Sequence, residues 1–272
     1  MKRNKSILLS GPYILWMLVF TLIPLGVVGY YALTDADGVF TLANLKDLGL
    51  YLPILGRSIL YALVSALICL LLGYPVAYFI AHRTETVQKL LYMLVMLPMC
   101  MSFLLRTMAW VGLLQDTGII NNFLGRIGIG PIPMIRTPGA VILGMVYNYL
   151  PYMILPLYAI IVKIDHRLVE AAEDLGCNGV QVFGRVILPL SMPGIFSGIT
   201  MVFVPAVSTF YISQKLGNPD TMLIGDVIER QFKQANNPNF GAALSLVLML
   251  LVFVCTGIMN RFGSDEEGGV VV

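Results

Sequence analysis

The chain has 272 residues, of which 58% are hydrophobic and 12% charged, and its formal net charge is +2. A soluble domain carries about twice that charged share, so the composition excludes a soluble globule, and the apolar excess excludes a disordered chain. The small net charge gives no ground for a nucleic-acid partner, and the length suits one membrane bundle.

Lys2, Arg3 and Lys5 open the chain, and no further charge occurs before Asp35. A basic start and an apolar core also describe a signal peptide, but this apolar stretch is too long and lacks an obvious small-x-small cleavage site. The expectation is a signal anchor forming the first span, kinked at Pro24. Residues 35–57 are polar enough for an external loop, and the uncharged run Ser58–Ala81 is the second span, with a bend at Gly73-Tyr74-Pro75. The short link Thr84–Lys89 leads to a third span, about Leu90–Leu114, that contains one charge, Arg106. Residues 116–137 are rich in Gly, Asn and Pro and read as an external loop with one short surface helix.

The fourth span lies between Arg136 and Lys163 and includes Tyr147-Asn148-Tyr149-Leu150-Pro151, a polar, helix-breaking insert at mid-membrane depth. A fifth span runs from Pro189 to Gln214, with Gly194 and Gly198 in the spacing that lets helices approach closely. The charged segment Lys215–Asn239 and a sixth span, Gly241–Asn260, follow, and then Arg261 and an acidic tail at Asp265, Glu266 and Glu267. Each run except the interrupted third exceeds the roughly 20 residues that cross a bilayer. This divides the chain into a first helix and loop over 1–56, a core of five spans over 57–261, and a tail over 262–272. Six crossings put both termini on one side. Lys2, Arg3, Lys5, Arg83, Lys89, Lys163, Arg167, Arg185 and Arg261 sit mostly in short segments on that side, whereas Lys46, Arg57, Arg126, Arg136, Lys215, Arg230 and Lys233 spread over longer loops. The bias favours cytoplasmic N- and C-termini.

The longest charge-bearing interlude on the cytoplasmic side is residues 163–189. Asp165 is placed to cap a helix, and Gly176 to end it in the left-handed conformation. Asn178 and Gln181 are spaced as a capping box for a second short helix, which Pro189 closes. Ala171 and Ala172 leave one side of the first helix without bulk, and Glu170, Glu173 and Asp174 share a polar face. Such an element is built to be gripped by another protein, although Glu170 alone also reads as an ordinary solvated helix charge.

Glu170-Ala171-Ala172, three residues, Gly176, nine residues, Val186, one residue, Leu188-Pro189 resembles the EAA loop of permease subunits of binding-protein-dependent ABC importers of the type I fold; the family more often has isoleucine where Val186 stands. Phe103–Arg106 through Gly118–Asn122, Tyr149–Tyr158, and Leu223–Ile228 with Gln231-Phe232 are similar to the spermidine/putrescine permeases, nearer the B-type subunit. The resemblance implies an all-α fold of six transmembrane helices in the cytoplasmic membrane of a bacterium, with a cytoplasmic coupling helix. It also implies an ABC ATPase dimer, a second permease subunit, most simply a different chain, and an extracytoplasmic solute-binding protein as partners. Glu170, Ala171, Ala172, Asp174, Gly176, Leu188 and Pro189 would then contact the ATPase. No Walker-type phosphate loop occurs, so ATP and Mg are used by the partner, and the chain itself is a transport subunit without a cofactor. Alternatives are a permease for another small solute and a self-sufficient secondary transporter or channel.

A polycation pathway needs carboxylates or aromatic faces. The candidates are Trp110, Tyr147, Asn148, Tyr149, Tyr211, Asp226 and Glu229, each with an alternative role in packing, in meeting the binding protein or in pairing with Arg230 or Lys233. Arg106 would repel a cation and reads as structural, snorkelling outward or pairing with Asp116. The cysteines Cys69, Cys100, Cys177 and Cys255 show no CxxC spacing and the two histidines do not pair, so no metal site is expected.

Overall fold

A computed structural model describes residues 2–35, 37–128 and 130–264. The acidic tail residues Asp265, Glu266 and Glu267 lie outside them. The main helices are α1 (Lys2–Ala32), α2 (Leu52–Ala81), α3 (Glu85–Met96), α4 (Phe103–Leu114), α5 (Ile119–Arg126), α6 (Pro138–Ile161), α7 (His166–Asp174), α8 (Gly179–Ser208), α9 (Tyr211–Leu216), α10 (Ile224–Lys233) and α11 (Pro238–Ser264). Among the described residues there is no strand, only an isolated bridge between Thr34 and Phe40. Five helical stretches are long and apolar enough to cross a membrane: Leu15–Ala32, Leu48–Ala81, Pro138–Ile161, Gly179–Ser208 and Pro238–Met259. Glu85–Cys100 and Phe103–Arg126 pass the same test only as a bent pair, which makes a sixth crossing if the two halves form one broken span.

Four sequence expectations change. The third span is not one helix: its halves meet at 86° across a break of a few residues. Pro98 sits in the short 3-10 turn Leu97–Cys100 at that break, where its missing N–H and ring oppose a continuing α-helix. By contrast, the insert at Tyr147–Pro151 does not break its helix, since α6 runs through both Pro151 and Pro156. Each proline removes one amide donor, a local loss that a helix packed along its length tolerates. Pro189 closes nothing either, because α8 continues through it to Ser208. Residues Phe183–Ile187 form a π-turn in which the Leu188 N–H donates to the Phe183 carbonyl five residues back. This wider turn just ahead of Pro189 loosens the hydrogen-bond ladder into which its ring would otherwise clash. Finally, the fifth span ends at Ser208 rather than Gln214, and Tyr211 belongs to the separate short helix α9.

The chain divides into two compact units. One comprises the N-terminal segment through Pro53 together with Val227–Leu251, and the other Ile54–Asp226 with the chain from Val252 onward. In the smaller unit α1 meets α11 through Ala32, Ala242 and Ala243, with Val28 and Leu246 alongside. Small residues let these two backbones come close, as lipid offers no hydrophobic drive for association. Asn239 completes the junction: its side-chain amide donates to the carbonyls of Tyr31, Thr34 and Asp35, at and just beyond the end of α1.

The larger unit is organised around α6, which packs most extensively on α8 and also meets α3, α4 and α9. Met145, Met153 and Leu157 of α6 are fully buried. The expected close approach at Gly194 and Gly198 is present. A Cβ on Gly198 would stand 2.6 Å from Met153 Sδ and 3.3 Å from the Met153 carbonyl oxygen. A Cβ on Gly194 would stand 3.1 Å from Ile160 Cγ1. The glycines therefore set the spacing of the two helices.

Candidate functional site

The loop between the fourth and fifth spans is built from local capping interactions. The Asp165 carboxylate accepts from the Arg167 amide at the start of α7. At its end Gly176 has φ +87°. The Gly176 N–H donates to the Glu173 carbonyl at 2.8 Å and the Cys177 N–H to the Ala172 carbonyl at 3.1 Å. Those two bonds are the Schellman pattern, which satisfies the last helical carbonyls. Asn178 Oδ1 then accepts from the Gln181 amide while Gln181 Oε1 accepts from the Asn178 amide, both at 2.9 Å. The capping box is present, but it starts the fifth span directly instead of a separate short helix.

The two alanines part company. Ala172 is buried with Val182 and Ile187, and Val169, Ile164, Cys177 and Phe183 pack against them. Ala171 faces outward. Glu170, Glu173 and Asp174 are all exposed, and Glu170 lies 3.3 Å from His166, one turn earlier. Leu188 is half-buried and Pro189 exposed. A feature the sequence reading missed lies beside this acidic face. Leu168 is 48% exposed and Leu175 86%, and together with Ala171 they form a stripe at i, i+3, i+7; Val180, 81% exposed, follows beyond the turn. The same spacing rule that grouped the acidic residues would have found the stripe.

The pathway candidates are not one cluster. Trp110 and Tyr147 do meet, edge to face, with ring centroids 5.4 Å apart. Tyr211 instead faces Phe103 at 6.2 Å. Phe103 and Trp110 are two turns apart on α4, so that helix presents both aromatic pairs along one side. Tyr149 is buried, its hydroxyl donating to the Pro205 carbonyl at 3.3 Å. Asn148 is fully buried and donates to the Gly144 carbonyl at 2.9 Å. Asp226 is also buried; its Oδ2 accepts from the Leu223 amide at 2.8 Å, and the next amide, of Ile224, donates to Ser58 Oγ. It thus holds the start of α10. Glu229 Oε1 lies 2.8 Å from Lys233 Nζ, one of the pairings its position allowed.

Arg106 neither snorkels nor pairs with Asp116. It is 7% exposed, and its Nε and Nη1 meet no acceptor among the described residues. Helix α4 runs unbroken through Gly112 to Leu114, and Asp116 beyond its end is exposed. Among the described residues no group of three or more His, Cys, Asp or Glu side chains is arranged to hold a metal ion.

A family model described as "Binding-protein-dependent transport system inner membrane component" matches residues 70–264, a range that takes in the capped loop, four of the six apolar segments whole and the last part of a fifth. The chain belongs to that family. It is accordingly a multi-pass inner-membrane transport subunit and not an enzyme. Among relatives of this family, the spermidine/putrescine transport system permease protein PotB of Salmonella typhimurium (strain SL1344) is 40% identical over 267 residues, covering 92% of this chain and 93% of the relative. PotB of Haemophilus influenzae is 41% identical over 263 residues, covering 90% and 92%. The solved structure of a bacterial ABC transporter involved in the import of alginate matches with a TM-score of 0.76 at 19% identity, covering 97% of this chain and 99% of that one. That likeness concerns the fold, and it agrees with the all-α permease architecture of the type I importers.

Proposed function

We propose that this chain is one permease subunit of an ATP-driven importer of polyamines, spermidine or putrescine, and that α7 is the helix through which a separate ABC ATPase drives it. The observation that carries the coupling is the exposed stripe of Leu168, Ala171 and Leu175 on a helix capped at both ends. Isolated short helices are marginal in water, and large apolar side chains left exposed on a rigid one mark a docking face. The acidic face of Glu170, Glu173 and Asp174 adds a rim of charge that sets register on a partner. The identity to PotB permeases, spread over about nine-tenths of both chains, supports the substrate class.

In this reading both termini and α7 are cytoplasmic, residues 57–261 are the permease core, and ATP and Mg are bound by the ATPase dimer alone. A second permease subunit completes the translocation path, and an extracytoplasmic binding protein delivers the substrate. Trp110 and Tyr147 are the aromatic pair best placed to hold an ammonium group, since Tyr147 remains partly exposed. The test is uptake of labelled spermidine and putrescine into proteoliposomes carrying the whole complex. Uptake that requires ATP supports the proposal, and ATP-independent flux through this chain alone refutes it.

A further inference from the structure

The wide turn at Phe183–Ile187 sits at an unusual place, one residue before Pro189 and directly against α7. Val182 and Ile187 are five residues apart and would face directions about 140° apart on a regular helix. The π-turn brings them to one side, where both are buried beside Ala172 of α7. The face continues along α8 through Ser191, Gly194 and Gly198, each of them buried. Thus one extra residue in the turn lets the same helix cover α7 at its start and pack on α6 further along.

This arrangement has a mechanical weakness. Bonds of the i→i+5 type are rare, and a π-turn is one of the few places where a helix kinks sharply. A push on α7 would be absorbed there unless something braces the turn from the side. The brace is Phe183. Its ring stands edge-on to two rings of α2, Tyr74 at 5.5 Å and 83° and Tyr78 at 6.2 Å and 81°. Tyr74 is itself fixed by a 2.8 Å hydrogen bond to Ser191 Oγ, beyond the π-turn. Phe183 and Tyr78 both touch the cluster that buries Ala172.

We propose that Phe183 is a positioning residue that carries the displacement of α7 sideways into α2, so that both membrane helices move as one body when α7 is pushed. The Tyr74–Ser191 bond closes the bracket on the far side of the π-turn, and rigid packed elements with discrete arrangements are what transmit such motion. This role rests on the reading of α7 as the ATPase docking helix.

The test uses the complete complex in proteoliposomes, with Phe183→Ala, Phe183→Leu and Phe183→Tyr. Leucine keeps most of the volume and so guards against simple collapse, whereas tyrosine keeps the ring edges. In Phe183→Ala and Phe183→Leu the ATPase should co-purify as in the wild type and ATP hydrolysis should persist, while substrate taken up per ATP falls by at least about tenfold. Phe183→Tyr should restore the ratio. Hydrolysis and uptake falling in parallel would assign Phe183 a structural role and overturn the proposal, as would an unchanged ratio in Phe183→Leu. A wild-type complex from which the ATPase does not co-purify would instead refute the docking reading itself, before any variant is compared.

Discussion

Gly176 offers the sharpest test of how α7 is held. Its φ of +87° lies in the left-handed region, and a Cβ there would meet nothing within 4 Å. Any damage from a side chain must therefore come from the backbone and not from collision within this chain. An L-residue in that region costs about 1–2 kcal/mol, and a β-branched one is at the upper end. Replacing glycine also stiffens the unfolded chain, which offsets about 0.4–1 kcal/mol. Gly176→Ala should then cost about 0–1.6 kcal/mol net, and Gly176→Val, from the upper end of the range, about 1–1.6 kcal/mol. If the chain relieves that cost by relaxing φ, it gives up the bonds to the Glu173 and Ala172 carbonyls, and Cys177 leaves the apolar cluster. About 1.4 kcal/mol corresponds to a tenfold loss of the correctly held loop. Co-purification of the ATPase, titrated against permease and read beside uptake, should fall in the order glycine, alanine, valine. Gly176→Asn is the control, because asparagine tolerates the left-handed region and should remain near wild type. An Asn variant as damaging as Val would show that the position needs an absent side chain and not a particular φ. Wild-type behaviour of Gly176→Val would refute the argument outright.

Three further outcomes are expected. Gly198→Leu should weaken the α6–α8 packing by about 1–3 kcal/mol, because its side chain enters space already filled by Met153; thermal unfolding in detergent reads the loss. Asn239→Ala should remove one donor from each of the carbonyls of Tyr31, Thr34 and Asp35, which keep the Thr34 amide, the Asn44 side chain and the Gly38 amide, so the cost should be only about 0.5–1.5 kcal/mol, with raised protease cleavage in the segment after α1. Arg106→Met should raise the melting temperature of the purified subunit, since it removes two buried guanidinium nitrogens whose N–H groups lack acceptors. A fall instead would mean that the guanidinium is satisfied in the purified protein.

What was legible in the sequence is what local chemistry controls. Asp165, Gly176 and the pair Asn178–Gln181 act on backbone groups within a few residues of themselves, so their spacing alone announced both caps. The spans followed from length and charge, since a bilayer tolerates few other solutions. Gly194 and Gly198 announced a close helix approach without naming the partner. The exposed stripe of Leu168, Ala171 and Leu175 was also present in the spacing, but an apolar residue on a short helix gives no sign of whether the chain itself covers it.

The prolines show where the sequence stops. Pro98, Pro151 and Pro189 carry the same missing donor and the same ring, yet one marks an 86° break, one sits in an unbroken helix and one follows a π-turn. The local penalty is common to all three. What differs is the packing around each: α6 is held along its length by α8 and α9, while α3 has no buried residue to keep it in line with α4. The fate of Arg106 has the same origin, for neighbouring helices decided that it would be buried. Composition and spacing thus determined that the chain crosses the membrane and where it caps α7. Only the tertiary structure decided which helices stay straight, because the energy that straightens or bends them comes from residues far away in the chain.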